Sequence, residues 1–435
     1  MEKDSEKIID PANDTEPSRE SVSSAVVEYL QLVNHDAQSS QLGSGSIEKR
    51  NAVFRNVKVW GGDTQLEYLE TVANFFMLPF TLIHKALSLK RLKRKMILHG
   101  IDGIIQEGEM VLVLGPPGSG CTTLLKTLSG HTGTFRGWSG DITYFELPVV
   151  TVKKTFRGNL VYNAEGDVHF PYLTVWRTLG FAVQTKIPTD NIKHSERKQK
   201  ISIVTEVLMK VFGLGATKTT LVGNEFVSGV SGGERKRVSL AEVMSTNAKV
   251  SLWDNSTQGL DSTTSVRFGK ALRTYVKSGQ NIAIAALYQA SDDLVNLFDK
   301  ITLLHEGRQI FFGTTKEAQE YLDSLGFVWS DRQSLSEFFI SVTDPHVRST
   351  KEGWENRVPR AIEDWERCWK SSIYYHNLQK AIEIQLDSGH VEHEAPKAGP
   401  LRTSHQTPVE QNRYTLSWSA QLYVTLSVPL VHADV

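Results

Sequence analysis

The stretch Gly115-Pro-Pro-Gly-Ser-Gly-Cys-Thr-Thr123 decides how this chain is interpreted. It follows an apolar, strand-like run at residues 110–114 and opens a helical stretch at residues 122–128. A glycine-rich loop in this context presents backbone N–H groups and a helix N-terminus to phosphate oxygens. The sequence therefore predicts a phosphate loop that consists of Gly115, Pro116, Pro117, Gly118, Ser119, Gly120, Cys121, Thr122 and Thr123.

The phosphate loop departs from its usual pattern at one position. A lysine normally follows the last glycine and binds the outer phosphates, but here Cys121 occupies that place. We therefore expect the loop to hold a nucleoside triphosphate without the cation that usually binds it.

The composition excludes several classes of protein. The 435 residues carry a formal net charge of −1, so no basic excess indicates binding to DNA or RNA. The two cysteines, Cys121 and Cys368, are too few for a disulfide framework and suit a reducing compartment. The polar start is not typical of a secretory signal, and no segment reaches the roughly 20 apolar residues that span a bilayer.

One segment has two interpretations. Residues 72–83 are apolar but short and interrupted by Pro79, and residues 85–95 are basic with interleaved leucines. Such a segment could rest on an anionic membrane surface, or it could be a solvated linker with a few buried leucines. The sequence leaves both interpretations open.

The chain divides into four parts by composition and pattern. Residues 1–50 are polar and are expected to be disordered, or ordered only on contact with something else. Residues 51–330 alternate apolar runs with helical patterns, which predicts an α/β domain with a largely parallel sheet. A helical insertion is expected at about 173–245 within it. A helical extension at 331–388 and a polar linker at 389–435 follow.

Two further motifs follow the phosphate loop in a fixed order. The first is Val230-Ser-Gly-Gly-Glu234, and the second is a strand that ends in Trp253-Asp-Asn255 and leads to Gly259-Leu-Asp261. With the phosphate loop they resemble the nucleotide-binding domain of an ATP-binding cassette (ABC) transporter. The similarity is to the N-terminal such domain of the fungal pleiotropic drug resistance type, in the G subfamily. It covers roughly residues 90–380 and implies the P-loop NTPase fold of that family.

The resemblance assigns a role to each motif, with ATP and Mg²⁺ as the ligands. It implies a metal site formed by Thr122, Asp254 and Glu165. It also implies a signature motif, which reaches the nucleotide on a partner domain, formed by Val230, Ser231, Gly232, Gly233 and Glu234. The D-loop at the same dimer seam would be Gly259, Leu260 and Asp261.

Four residues depart from the family pattern. Cys121 replaces the lysine, Asn255 the general-base glutamate, Tyr288 the switch histidine, and Glu165 the glutamine that contacts the metal site. A lost ammonium about 4 Å from a phosphate forgoes a gross interaction of roughly 4 kcal/mol, much of it offset by water and magnesium. Loss of a general base costs roughly 10²–10⁴ in rate. No catalytic residue is intact, so we expect nucleotide binding with negligible hydrolysis.

The resemblance implies the non-hydrolysing half of an asymmetric efflux transporter. Its partners would be a second nucleotide-binding domain and transmembrane domains. The domain would lie at the cytoplasmic face of the membrane in an intact transporter, and the chain as given would be cytoplasmic. Residues 414–423 resemble the approach to a first membrane helix, but the following residues do not fit the family, which motivates the hypothesis of a truncated or mis-spliced product.

Two alternatives belong to other functional classes. An active ATPase without a membrane domain usually has the lysine and glutamate that are replaced here. A nucleotide-dependent regulatory module, or a non-transporting remnant, also fits the motifs. The sequence does not identify a transported substrate, because membrane helices would contact it.

Overall fold

The computed structural model of the chain describes residues 19–34, 51–61, 95–156, 158–187, 193–330 and 332–388. Its strands are β1 (Asn51–Gly61), β2 (Lys95–Gln106), β3 (Met110–Leu114), β4 (Gly137–Tyr144), β5 (Leu147–Pro148), β6 (Leu160–Asn163), β7 (Val250–Asp254), β8 (Ile282–Ala286), β9 (Lys300–His305) and β10 (Arg308–Gly313). Its helices are α1 (Arg19–Asn34), α2 (Cys121–Leu128), α3 (Val149–Thr155), α4 (Val175–Lys186), α5 (His194–Val211), α6 (Gly232–Ser245), α7 (Ser262–Gly279), α8 (Asp292–Val295), α9 (Thr315–Ser324), α10 (Leu335–Ser341), α11 (Ile362–Ser371) and α12 (Ile373–Ser388).

A six-stranded sheet forms the centre of the fold, with strand order β10-β9-β3-β8-β7-β6. Strands β9, β3, β8, β7 and β6 are mutually parallel, and β10 pairs antiparallel with β9 as a hairpin. Every residue of β3, β7 and β8 is buried, as expected for central strands covered on both faces. The predicted α/β fold with a largely parallel sheet is confirmed.

A second, antiparallel sheet has the strand order β2-β1-β4-β5. The His99 N–H donates to the Gly307 carbonyl at 2.9 Å, and the Gly307 N–H donates to the Ser119 carbonyl at 3.1 Å. These two bonds connect β2, the turn between β9 and β10, and the phosphate loop. The second sheet is therefore connected to the phosphate loop through the β9–β10 turn.

The helical insertion consists of α4, α5 and α6, between β6 and β7 in the chain. Thr174 caps α4, since its side chain accepts from the Arg177 N–H. A capping box between Ser231 and Glu234 begins α6. The predicted helices at 173–245 are therefore present, and the sequence signal that opens α6 is its cap.

Aromatic side chains pack the segments after β10 against one another and against the hairpin. Trp365 stacks on Phe327 with ring centroids 5.3 Å apart, and Trp369 lies 5.5 Å from the ring of Phe311 in β10. Both tryptophans are fully buried. The helices at 332–388 thus share the core of the sheet domain instead of standing apart from it.

Residues 19–34 correct one expectation. They form α1, so the prediction of disorder for residues 1–50 is wrong for this segment. The physical reason is its apolar face, which packs against α5 and α7 and buries Val22, Ala25, Val26, Tyr29 and Leu30. The i, i+3, i+4, i+7 spacing of these residues is the helical signal that the polar composition obscured.

Several sequence predictions lie outside the described residues. They are the remainder of residues 1–50, nearly all of the apolar and basic segment at 72–95, and the linker at 389–435. Within the ranges that the structure does describe, no helix combines the length and the apolar character needed to cross a bilayer.

Candidate nucleotide site

Backbone geometry fixes the phosphate loop between β3 and α2. A Cβ placed on Gly115 would lie 2.4 Å from the Leu304 carbonyl oxygen, so only glycine fits there. The Ser119 N–H donates to the Pro116 carbonyl at 3.0 Å, which closes a tight turn. Pro117 and Gly118 are exposed at its tip. The loop is therefore rigid at its base and open to solvent where a phosphate would bind.

Cys121 is the first residue of α2. The helix begins after Gly120, whose φ of 96° lies in the left-handed region that glycine tolerates. The Cys121 side chain is buried, and this burial, with a smaller contribution from the Asp254 carboxylate, raises the pKa of its thiol to about 12. At neutral pH the residue is a neutral thiol that neither attracts nor repels a phosphate.

The carboxylate of Asp254 lies at the carboxyl end of β7, next to the phosphate loop. It accepts hydrogen bonds from the Thr122 hydroxyl at 3.0 Å and the Tyr162 hydroxyl at 2.6 Å. Burial raises the pKa of Asp254, the nearby Glu165 carboxylate raises it further, and the two hydroxyl bonds oppose both effects. Asp254 and Thr122 thus place two oxygen-bearing side chains together beside the loop.

Asn255 follows Asp254 and binds Glu165. Its Nδ2 donates to Glu165 Oε1 at 2.7 Å and to Gln258 Oε1 at 3.0 Å. The Asn255 backbone has a φ of 46°, in the left-handed region that asparagine tolerates better than most residues. An amide at position 255 therefore suits both the backbone and the carboxylate that it faces.

Tyr288 follows β8 and completes this cluster. Burial raises the pKa of its hydroxyl, and the neighbouring Cys121, Asp254 and Glu165 raise it further, in that order. The Asn255 N–H donates to the carbonyl of Ala286 at 2.8 Å, two residues before Tyr288, so Tyr288 lies beside the end of β7 that carries Asp254. The structure thus brings together all four positions at which the sequence departs from the expected pattern.

The signature motif and the D-loop lie next to each other at the start of two helices. Ser231 begins α6, and Asp261 begins α7 by accepting from the Thr264 N–H at 3.0 Å. A Cβ on Gly233 would lie 3.3 Å from the Gly259 carbonyl oxygen. Hydrogen bonds from the side chain and backbone of Thr264 lower the pKa of Asp261. Asp261 is exposed, so these residues form an accessible edge.

The family model described as "ABC transporter" matches residues 98–258, which include the phosphate loop, the signature motif and Asp254. The chain belongs to the ABC transporter family. Domains of this family bind ATP, typically with Mg²⁺.

Fungal ABC transporters match most of the chain. The ABC multidrug transporter MDR1 of Trichophyton tonsurans is 40% identical over 386 residues, which cover 86% of this chain and 24% of that protein. The ABC transporter ATP-binding protein/permease PDR18 of Saccharomyces cerevisiae is 40% identical over 331 residues, 75% of this chain and 25% of that protein. The ABC multidrug transporter C of Aspergillus fumigatus is 42% identical over 332 residues, 76% of this chain and 22% of that protein. The chain spans about a quarter of the length of these relatives.

The residues of this ABC domain fit a nucleotide-bound Mg²⁺. Mg²⁺ usually binds one or two carboxylates together with substrate phosphates and water. Asp254, Thr122 and Glu165 offer such an oxygen set beside the loop. In the part of the chain that the structure describes, no cluster of three or more His, Cys, Asp or Glu side chains could enclose a metal ion without a ligand. The oxygen atoms of Asp254, Thr122 and Glu165 suit a metal ion that also binds phosphates.

A buried polar network connects Glu165 to the signature helix. The Lys236 ammonium donates to the Glu165 carbonyl at 2.6 Å and lies 3.4 Å from the Asp167 carboxylate. The Ser239 hydroxyl donates to the same carboxylate at 2.6 Å, and His169 contacts Ser239 and Glu242 at 2.8 Å and 3.2 Å. Ser239, His169 and Glu242 contact one another in the order of a catalytic triad. Because Ser239 is buried and donates its hydroxyl proton to Asp167, it is not an exposed nucleophile, and the contacts form a structural network.

Lys236→Met is expected to destabilise the chain by about 3 kcal/mol, because Asp167 would remain partly buried without its counter-ion. Urea unfolding followed by tryptophan fluorescence measures this loss. Lys198→Met, on the exposed surface of α5, is the matched control and should change little. Equal stability of the two variants would contradict the role given to Lys236.

Sequence reasoning missed several residues of this site. Tyr162, Asp167, Lys236 and Gln258 all touch it, and although they lie within or beside the motifs, the sequence assigned none of them a role. Tyr162 had a usable signal, since it lies at the carboxyl end of β6, the strand paired with β7. Lys236 had none, because a lysine in a run of charged residues normally indicates a solvated face.

Proposed function

We propose that this chain is an ATP-binding domain that binds Mg²⁺–ATP without hydrolysing it and completes a hydrolytic site on a partner domain. The observation that carries the proposal is the hydrogen bond from Asn255 Nδ2 to Glu165 Oε1. The amide of Asn255 donates a hydrogen bond at the position where the general base is expected, and a neutral amide cannot remove a proton from an attacking water.

The binding step relies on backbone groups and on the metal. The loop N–H groups and the N-terminus of α2 attract the phosphates. Asp254 and Thr122 would hold Mg²⁺ directly or through water, and the ion would supply the positive charge that Cys121 lacks. The hydroxyls and the amide that contact the carboxylates of Asp254 and Glu165 carry no charge. Lys126 lies in the last turn of α2 and has the smallest of the influences on the pKa of Asp254.

The lack of hydrolysis follows from the positions of the carboxylates. Asp254 would be occupied by the metal, and the Oε1 of Glu165 accepts from Asn255. No carboxylate stands at position 255 itself, and a missing general base lowers the rate by roughly 10²–10⁴. Tyr288 cannot replace a histidine as a proton carrier near pH 7, because burial raises the pKa of its hydroxyl.

The partner-facing role is supported by the exposed edge at the signature motif and D-loop. Ser231 and Gly232 are exposed, although the first turn of a helix attracts phosphate. We infer that Val230–Glu234 and Gly259–Asp261 contact nucleotide bound to a second nucleotide-binding domain. By similarity to multidrug transporters, the whole assembly would include transmembrane domains and export small molecules from the cytoplasmic face of a membrane.

The proposal also includes the division of the chain. Residues 51–330 would form the nucleotide-binding domain, with the helical insertion at 173–245. Residues 331–388 would form its helical extension, and residues 389–435 would lead toward a membrane domain.

The test combines binding with turnover on the purified full chain. A fluorescent ATP analogue with Mg²⁺ should bind saturably, and Thr122→Ala should weaken the magnesium-dependent part of this binding. Phosphate release should stay at the background of a Glu165→Gln variant. Turnover at the rate of an intact cassette would refute the proposal, and loss of that turnover in Glu165→Gln would identify Glu165 as the base. Failure to bind the analogue would instead favour a non-transporting remnant.

A further inference from the structure

Helix α1 connects parts of the domain that are far apart in the sequence. It packs against α5 of the helical insertion and against α7, which follows the D-loop. Val26 and Tyr29 are completely buried in this contact, and the Thr274 hydroxyl of α7 donates to the Ser23 hydroxyl at 3.3 Å. The helix is therefore a part of the packed domain, although it precedes β1 by a segment outside the described residues.

Two buried tyrosines hold the C-terminal end of the signature helix α6 and the short connection that follows it. The Tyr29 hydroxyl of α1 donates to the Met244 carbonyl at 2.9 Å. The Tyr275 hydroxyl of α7 donates to the Ala248 carbonyl at 2.8 Å. Burial raises the pKa of both tyrosines, so each hydroxyl keeps its proton and remains a donor. The last turn of α6 is thus fixed to α1, and the short connection between α6 and β7 is fixed to α7.

The opposite ends of the same two helices carry the exposed motifs. Ser231 begins α6, Asp261 begins α7, and Gly233 lies against the Gly259 carbonyl between them. A helix is a stiff rod over these lengths. Contacts that fix the C-terminal end of α6 relative to α7 therefore also limit how Ser231 can move relative to Asp261.

We propose that α1 is a brace that sets the relative position of the signature motif and the D-loop, with Tyr29 as its positioning residue. The brace matters for function only if these two motifs face a partner's nucleotide, so this inference rests on the proposed function. It assigns a role to the segment before β1, which lies outside the residues matched by the family model.

A purely structural role for α1 makes a different prediction. Burial of its apolar face would add stability, and loosening it would unfold some molecules without changing the geometry of those that stay folded. The brace instead predicts that folded molecules gain additional arrangements of α6 relative to α7. A distance measurement in the folded chain distinguishes the two.

The experiment measures the distance between nitroxide labels at the two motifs. The full chain carries Cys368→Ser, and labels are attached through Gly232→Cys and Thr263→Cys. Both positions are exposed, a Cβ at Gly232 meets no atom within 4 Å, and the native Cys121 is buried. Dipolar broadening in frozen solution reports the distance distribution in three further backgrounds: Tyr29→Phe, a deletion of residues 1–34, and the control Gln31→Ala on the exposed face of α1.

We expect a single narrow distribution in the parent chain and in Gln31→Ala. Tyr29→Phe should widen it about twofold, since α6 would lose its hydrogen bond to α1 and the Met244 carbonyl would keep only bonds within its own segment, such as that from the Asn247 N–H at 3.1 Å. The deletion should widen it at least as much. An unchanged distribution in Tyr29→Phe would overturn the brace even if the deletion variant does not fold. The labels need no nucleotide, so absence of ATP binding would refute the proposed function and leave this result to stand by itself.

Discussion

Asn255→Glu is expected to destabilise the nucleotide-free chain by about 2 kcal/mol at pH 8. The new carboxylate would replace the amide that lies 2.7 Å from Glu165 Oε1, and Asp254 is adjacent in the chain. Two like charges about 4 Å apart repel by about 4 kcal/mol at an effective dielectric constant near 20, and solvent around the exposed Glu165 reduces this repulsion by about half. Urea unfolding followed by tryptophan fluorescence measures the loss.

The double variant Glu165→Gln/Asn255→Glu should recover most of that stability. It exchanges the amide and the carboxylate between the two positions, so the hydrogen bond can form in the opposite direction and the site keeps its charge. The two single substitutions should therefore be strongly non-additive, as expected for residues in direct contact.

The deficit of Asn255→Glu should depend on pH with a definite sign. Repulsion raises the folded-state pKa of the crowded carboxyl groups above their unfolded values, and burial already raises that of Asp254. The cost is therefore complete above the raised folded-state pKa and disappears as the pH falls toward the unfolded-state value. The difference from wild type at pH 8 should shrink at pH 5.

Asn255→Gln is the matched control for charge. It lengthens the side chain and meets the same left-handed backbone, with a φ of 46°, but adds no carboxylate. Both variants therefore share any backbone strain. Equal stability of Asn255→Gln and Asn255→Glu at pH 8 would show that charge repulsion does not cause the loss. No recovery of stability in the double variant would contradict direct contact between residues 165 and 255.

The sheet domain is predicted well from the sequence, because the sequence patterns that indicate its strands and loops are local. The apolar runs of β3, β7 and β8 and the glycine loop after β3 each occupy a few consecutive residues. Parallel strands end at one edge of their sheet, so Asp254 had to lie near the phosphate loop. The capping box at Ser231 is equally local, and it marks the start of α6 as expected.

The parts that the sequence did not predict depend on contacts between distant segments. The polar composition around α1 led to a prediction of disorder, although the buried Val26 and Tyr29 have helical spacing. Lys236 is 3% exposed because Asp167 and the Glu165 carbonyl surround it, and these partners lie about 70 residues earlier in the chain. The pairing of Asn255 with Glu165 also required coordinates, since the two residues are 90 positions apart in the chain.

Cys121→Lys is expected to tighten binding of Mg²⁺–ATP by about tenfold to a hundredfold. A hydrogen bond to a charged group contributes about 1.5–3 kcal/mol net, and about 1.4 kcal/mol corresponds to a factor of ten in Kd. The lysine would begin at the first residue of α2, where the helix N-terminus faces the loop. Titration with a fluorescent ATP analogue measures the change.

Cys121→Met separates the charge from the length of the new side chain. It should leave Kd near that of the wild type, whose thiol is neutral because burial raises its pKa to about 12. For the same reason, wild-type affinity should not change through ionisation of Cys121 between pH 7 and pH 9. Cys121→Lys should still fail to release phosphate, because the amide of Asn255 remains in place. Restored turnover in this single variant would show that the missing cation alone keeps the site inactive, and it would assign the base to a group other than residue 255.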